Sequence, residues 1–342
     1  MSRTDLSGTV VGSSFSLNRR IGTGNFGDVY LCNQVVLNRD SALKVVRTTS
    51  ADFLSNVLEP ELQHLVAHPQ IVRVESAEVW IDASQNPHIL IEMEIMEGGS
   101  LQDAIQNDIS LRDAVSALKD ALFALHHAHS FGIIHRDVKP GNILFGRNGA
   151  KLSDFGIAMA VSRRVRVSNF IYNANLAPES IHAPVFNPQS DVYAAGLALF
   201  RAVNNIKNWR STRATLTDWK ASFLAGTVVK DLGFQDHVPK KLQRIIKKAC
   251  HADPTKRFAS SAAFRDALER LSFERDWKPT ANGWECMHSG KAERICITQK
   301  GSSWSVDCFR GQNRRRPACK SGLTEARAKA YAASVIAETT LS

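Results

Sequence analysis

The chain has 342 residues, 44% of them hydrophobic, which is enough for one large domain and a smaller one. Its net charge of +10 admits nucleic acid, acidic proteins or an anionic surface as partners and selects none of them. No apolar run suits a signal peptide or a membrane span, and six unevenly placed cysteines do not make a disulfide scaffold, so a reducing, cytoplasmic setting with no membrane partner is expected.

In chain order, the first hundred residues read as strands and turns. FSLNRRIG (15–22), DVYLCNQVVL (28–37), SALKVVR (41–47), AEVWID (77–82) and HILIEMEI (88–95) are rich in Val, Ile and Leu or alternate in polarity, and one helical stretch near 52–66 interrupts them. From residue 100 the pattern turns helical. SLRDAVSALKDALFALHHAHSFG carries a cap at Ser110 and a closing Gly132; SDVYAAGLALFRAV (190–203) and PKKLQRIIKKAC (239–250) follow. A small β-rich half before a larger α-rich half predicts two lobes with a cleft between them. The composition then shifts around Trp277-Lys278-Pro279. Residues 273–342 hold 12 Lys/Arg and 7 Asp/Glu, half of the net charge on a fifth of the chain, and four of the six cysteines.

Several residues in the first two lobes carry chemistry. GTGNFGDVY (22–30) follows the first strand and precedes another, so it predicts a glycine-rich hairpin that brings backbone amides to phosphate; an ordinary turn is the alternative. A helix straight after the last glycine would have favoured a dinucleotide site instead. Lys44 lies on a largely buried strand, where a lysine must snorkel outward or meet an anion, with Glu59 or Glu61 as partner and Pro60 awkward between them. In IIHRDVKPGNILF (133–145) apolar residues pin a short polar loop from both ends, and SDFG (153–156) follows. Asp137, Lys139, Asn142 and Asp154 thus offer two carboxylates, a cation and an amide. An Asp and an Asn can ligate a hard divalent ion, a second Asp can take a proton from a hydroxyl, and a Lys can neutralise a transferring group.

In combination these motifs resemble eukaryotic-type serine/threonine protein kinases, in the compact bacterial form, over residues 15–272. The resemblance implies an α+β bilobal kinase fold, with a β-rich N-lobe (15–97) and an α-rich C-lobe (98–272). It implies ATP and Mg2+ as cofactors and protein hydroxyls as acceptors. Gly22, Gly24 and Gly27 would cover the phosphates, Val29 and Ala42 roof the adenine, Met93 act as gatekeeper, and the Glu94 and Met96 backbone bond the base. Lys44 would hold the α- and β-phosphates, with Glu59 rather than Glu61 holding Lys44 by its spacing from His68-Pro69. Asp137 would be the catalytic base and Lys139 the support of the γ-phosphoryl, with Asn142 and Asp154 as metal ligands. Ala177-Pro178-Glu179 closes the activation segment, Arg257 matches the arginine that pairs with Glu179, and Asp191 matches the aspartate beneath the catalytic loop. Two departures stand out: Ile171-Tyr172 replaces the usual Gly-Thr, and Pro60 follows Glu59.

Arg136 before Asp137 is the arrangement of kinases whose activation segment is ordered by phosphate, and Ser168 has the spacing for that site, with Ser162 and Tyr172 next. A nucleotide-gated binding protein with weak catalysis is the rival reading, against which the complete set of Lys44, Asp137, Asn142 and Asp154 argues. His126, His127 and His129 close an amphipathic helix and read as structural. The tail, 278–342, reads as a ββ(β)α accessory module: strands in 283–290, 293–301 and 303–311, a basic loop at Asn313-Arg314-Arg315-Arg316 and an Ala-rich helix at 323–338. Its cysteines lack a CxxC knuckle. Protein docking and nucleic-acid binding both fit its charge.

Overall fold

The computed structural model describes residues 5–24, 27–47, 68–155, 175–182 and 186–342. The helical stretch near 52–66, with Glu59, Pro60 and Glu61, and the segment with Ser162, Ser168, Ile171 and Tyr172 lie outside the described residues.

The N-lobe is a six-stranded antiparallel sheet of β1 (Val10–Val11), β2 (Phe15–Thr23), β3 (Gly27–Gln34), β4 (Arg39–Arg47), β5 (Val74–Ile81) and β6 (Pro87–Met93), in the order β1-β2-β3-β4-β6-β5. Alternation sorts its side chains. Leu17, Tyr30, Cys32, Leu43, Val45 and Leu90 form one buried cluster. The residues between them occupy the other face, where register aligns Val29, Lys44 and Ile91 in one row and Leu31, Ala42 and Met93 in the next. The strand expected to run to Leu37 stops at Gln34. Val35, Val36 and Leu37 form an exposed turn closed by Asn38 at φ 47°, a conformation that Asn tolerates better than most residues.

The C-lobe contains α1 (Leu101–Gln106), α2 (Leu111–Ser130), the hairpin β7 (Ile143–Gly146) and β8 (Gly149–Leu152), α3 (Pro178–His182) and α4 (Pro188–Val203). Then come α5 (Trp209–Arg213), α6 (Trp219–Leu224), α7 (Val228–Leu232), α8 (Lys240–Ala249) and α9 (Ser261–Glu269). The Ser110 hydroxyl accepts the Asp113 N–H and so starts α2, whose buried stripe (Val115, Leu118, Leu122, Leu125) enters the same core as the almost wholly buried α4. These two helices form the rigid floor under the polar loop at 135–142.

The tail is a second sheet under one helix. β9 (Lys278–Thr280), β10 (Gly283–His288), β11 (Lys291–Lys300), β12 (Ser303–Arg310) and β13 (Asn313–Arg314) pair in the order β13-β12-β11-β10-β9, and β14 (Lys320–Leu323) adds to β12. Helix α10 (Glu325–Thr340) lays Ala328, Ala332 and Ile336 on Cys286, Ile295, Val306 and Cys308. The sheet therefore has more strands than the three read from the sequence. Half of the expected basic loop is strand: Asn313 and Arg314 continue the ladder by pairing with Arg310 and Phe309.

Candidate active site

The loop after α2 is held by one buried carboxylate. Asp191, 1% exposed, sits in the first turn of α4 and accepts from the His135 N–H at 2.8 Å, the Arg136 N–H at 2.9 Å and His129 Nε2 at 2.8 Å. Three donors on one carboxylate fix the backbone path and carry Arg136 through φ 70°, a strained setting for a side chain of this size. His135 is locked as well: its Nδ1 accepts from the Asp137 N–H at 3.2 Å while Nε2 donates to the Ser153 carbonyl at 2.8 Å. The ring also packs edge-on against Phe155. The catalytic-type loop and the Asp-Phe segment are thereby one unit.

Within that unit, Lys139 Nζ donates to Asp137 Oδ2 at 2.5 Å. Asn142 Nδ2 donates to the Asp137 carbonyl at 2.8 Å and to Oδ2 at 3.2 Å. The Asn142 carbonyl accepts from the Ser153 N–H at 2.9 Å, which brings Asp154 alongside. Asp154 is at φ 69° and its Oδ1 accepts from Lys44 Nζ at 2.7 Å. Lys44, 4% exposed, therefore meets its anion across 110 positions of sequence and links the N-lobe sheet to the C-lobe loop. The expected Glu59 partner lies outside the described residues.

The adenine-side expectations fall on one surface. Val29, Ala42 and Met93 share the lysine's face of the sheet, and Glu94 follows at the end of β6. The Glu94 N–H is spent on the Arg73 carbonyl at 3.1 Å, which leaves its carbonyl to offer a base. Its carboxylate is fixed by Lys151 Nζ at 2.7 and 2.9 Å, a contact with no local signal in the sequence. Met96 packs near Gly146. Of the three glycines, Gly27 carries the sharpest demand: a Cβ there would stand 2.3 Å from the Val45 carbonyl oxygen, so β3 and β4 can approach only without a side chain. Gly24 closes the turn by donating to the Gly27 carbonyl, and Gly22 lies opposite Val29.

His129 is a residue whose part the sequence did not reveal. By sequence it is one of three histidines that close α2; the fold sets it between Asp191 and the Ser261 hydroxyl, 3.2 Å from Nδ1, where it helps hold the loop. His127 instead stacks on His68 at 4.4 Å. Arg136 lies over the Phe186 ring at 4.9 Å; burial lowers its pKa from the ordinary arginine value, with Asp191 pulling the other way. Its Nε is buried and makes no hydrogen bond among the described residues. Arg257 grips both carboxylate oxygens of Glu179, at 2.7 and 2.8 Å.

A two-lobed fold with a lysine strand above and an Asp–Lys–Asn loop below defines the protein kinase class. The family model described as protein kinase domain matches residues 15–268, and the chain belongs to that family, whose members use ATP. It is 31% identical over 270 residues to the serine/threonine-protein kinase PknB of Mycolicibacterium smegmatis, covering 75% of this chain and 43% of that protein. It is 29% identical over 282 residues to PrkC of Bacillus subtilis, covering 79% of this chain and 42% of that protein. The chain thus spans less than half the length of these curated relatives. Two crystal structures of the Mycobacterium tuberculosis PknI kinase domain share the fold, with TM-scores of 0.58 and 0.54 and identities of 22% and 21%, each over 79% of this chain and 98% and 99% of the PknI chain.

Proposed function

We propose that this chain is an ATP- and Mg2+-dependent serine/threonine protein kinase that transfers the γ-phosphoryl group to protein hydroxyls. The observation that carries this reading is the single hydrogen-bonded unit joining Lys44, Asp137, Lys139, Asn142 and Asp154 beneath the Val29–Ala42–Met93 surface. In this reading Asp137 accepts the proton of the attacking hydroxyl, and Lys139, already on its carboxylate, neutralises charge that builds on the transferring group. Lys44 orients the α- and β-phosphates from its buried strand. Catalysis of this kind is mainly positioning and charge stabilisation, which suits side chains held by several bonds each.

The donor set fits magnesium. Asn142 turns its Nδ2 toward Asp137, so its amide oxygen is the remaining donor, and Asp154 adds a carboxylate that is a quarter exposed; both are hard oxygen ligands. When bound, the ion would neutralise phosphate oxygens. The test is transfer from γ-labelled ATP to the chain itself or to a generic protein acceptor, beside Asp137→Asn. Loss of about a hundredfold or more in the variant is expected. Equal labelling by both proteins sinks the assignment of the base, and ATP binding without transfer by the wild type would mark the chain as a nucleotide-gated binding protein.

We further propose that the activation segment is a substrate of the same site, with Ser168 first and Ser162 and Tyr172 next. Arg136 Nε, buried and without a hydrogen bond among the described residues, supports this, because a phosphate supplies the acceptor such a group lacks. Ser168→Ala is expected to lose most activity; full activity in that variant, with phosphate mapped to Ser168 in the wild type, refutes the regulatory role.

A further inference from the structure

Glu94 is held on three sides. Its N–H donates to the Arg73 carbonyl at 3.1 Å, and the Arg73 N–H returns a bond to Glu94 Oε1 at 2.7 Å. Lys151 Nζ then donates to both carboxylate oxygens, at 2.7 and 2.9 Å. The Arg73 guanidinium takes no part, being paired with Glu75 at 2.6 Å. With the N–H and both carboxylate oxygens engaged, the carbonyl is the polar group of Glu94 that accepts from nothing among the described residues.

Lys151 lies on β8, and the chain runs on from that strand to Asp154. The strand is itself fixed. Asp120 accepts the Ala150 N–H at 2.9 Å, while Leu152 donates to the Gln70 carbonyl at 2.8 Å and accepts from the Val72 N–H at 3.0 Å. Residues 70–73 thus bond β8 on one side and Glu94 on the other, and the Lys151 ammonium closes the circuit. An exposed ion pair holds little. In this one the side chains of Lys151 and Glu94 are 24% and 20% exposed, the contact is forked, and the carboxylate is shared with a backbone N–H, so it has one place to sit. Among the described residues Glu94 pairs with no other cation, and Lys151 with no other carboxylate.

We propose that Lys151 is the positioning residue that sets the choice of nucleobase. By fixing Glu94 it keeps that residue's carbonyl in one place, against a base whose exocyclic amino group donates to it. Adenine has that group. Guanine has a carbonyl there, so two acceptors would face each other with neither satisfied. Discrimination of this kind is steep because the wrong base leaves a polar group of the site unpaired. The strand that carries Lys151 also leads to the Asp154 carboxylate, so one short segment gauges both the base and the metal end of the nucleotide. The inference rests on the ATP reading of this site and adds the residue that acts through Glu94 to select the base.

The experiment is calorimetric titration of the full chain with ATP and with GTP, each in the presence of Mg2+. The wild type is expected to bind ATP at least about tenfold more tightly than GTP, since one neutral hydrogen bond carries about that factor and guanine turns it into a mismatch. Lys151→Met is expected to weaken ATP about tenfold and GTP less than about twofold, because GTP never used the Glu94 carbonyl. The ratio of the two then falls toward one, whereas a general loosening of the lobe lowers both affinities alike. Lys151→Arg should restore most of the ATP affinity. Glu94→Gln, whose amide oxygen still accepts from Arg73, should match Lys151→Met and add nothing to it in the double variant. In the transfer assay the same change appears as a KM for ATP that rises more than kcat falls. A wild type without base preference, equal losses for ATP and GTP, or an unaffected Lys151→Met would each overturn the proposal. The expected binding pattern without transfer to any acceptor would sink phosphotransfer and uphold the positioning role.

Discussion

Arg257 has five N–H donors, and the fold uses all of them: two on Glu179 and one each on the carbonyls of His251, Gln189 and Ala252. Its guanidinium also lies over the Tyr193 ring at 4.9 Å. A lysine cannot reproduce that planar fork. Arg257→Ala strands Glu179 and three carbonyls, at a cost of about 3 kcal/mol or more. A thermal midpoint lower by several degrees is expected by calorimetry, with Arg257→Lys recovering part of it; an unchanged midpoint in the alanine variant would show the cluster to be dispensable. The tail's thiols behave differently. Burial beneath α10 pushes Cys286 and Cys308 up to about 11. Since the thiolate is the nucleophile, alkylation of both at neutral pH should be roughly a hundredfold slower than that of an ordinary thiol, and should rise with pH toward 10. Fast labelling at pH 7 by mass spectrometry would contradict the burial. At this scale the sequence was most legible in which residues share one loop unit, as Asp137, Asn142 and Asp154 do through direct bonds and Ser153. It was least legible for pairings across the fold, such as Lys44 with Asp154 or Lys151 with Glu94, which no local pattern encodes.

Strands and helices were read well where periodicity and caps agree. The Ser110 cap and Gly132, at φ 72°, bracket α2 within a residue or two of the expected limits. The misreadings have physical causes. Val35–Leu37 is apolar enough to continue a strand, yet β3 must turn back to pair with β4, and the turn wins. Strands β9, β13 and β14 are short and polar, formed by the ladder they join rather than by their own propensity. Gly27 shows an element held by what it omits. A methyl group there collides with the Val45 carbonyl and must part β3 from β4. Gly27→Ala is therefore expected to cost about 1–3 kcal/mol, read as a lowered unfolding midpoint, and to weaken ATP binding through the displaced lysine row. Wild-type values for both would mean that the two strands tolerate the wedge.

At the scale of the whole molecule, the tail is attached at two points. Its entry runs through Ser272–Glu274, and its exit returns there: Glu274 donates to the Thr340 carbonyl at 2.9 Å, Ser342 to the Ser272 carbonyl at 3.0 Å, and Phe273 bridges Leu341. Arg112 of α2 adds a bond to the Phe273 carbonyl, and both Phe273 and Leu341 pack on the C-lobe core. Leu341→Asp is expected to undo this seam and speed protease cleavage between residues 270 and 280, while the kinase lobes stay resistant. Unchanged cleavage kinetics would show that the seam does not bear on mobility. Such a double attachment has a consequence for target choice. A sheet on a single flexible leash would sample a wide sphere and dilute whatever it held, whereas a doubly moored sheet would keep any cargo it bound at a set distance from Asp137. Acceptors on such a cargo within that distance would experience a local concentration of roughly millimolar order, and those outside it would gain nothing, so selection would follow from position along the cargo more than from the sequence around the acceptor hydroxyl.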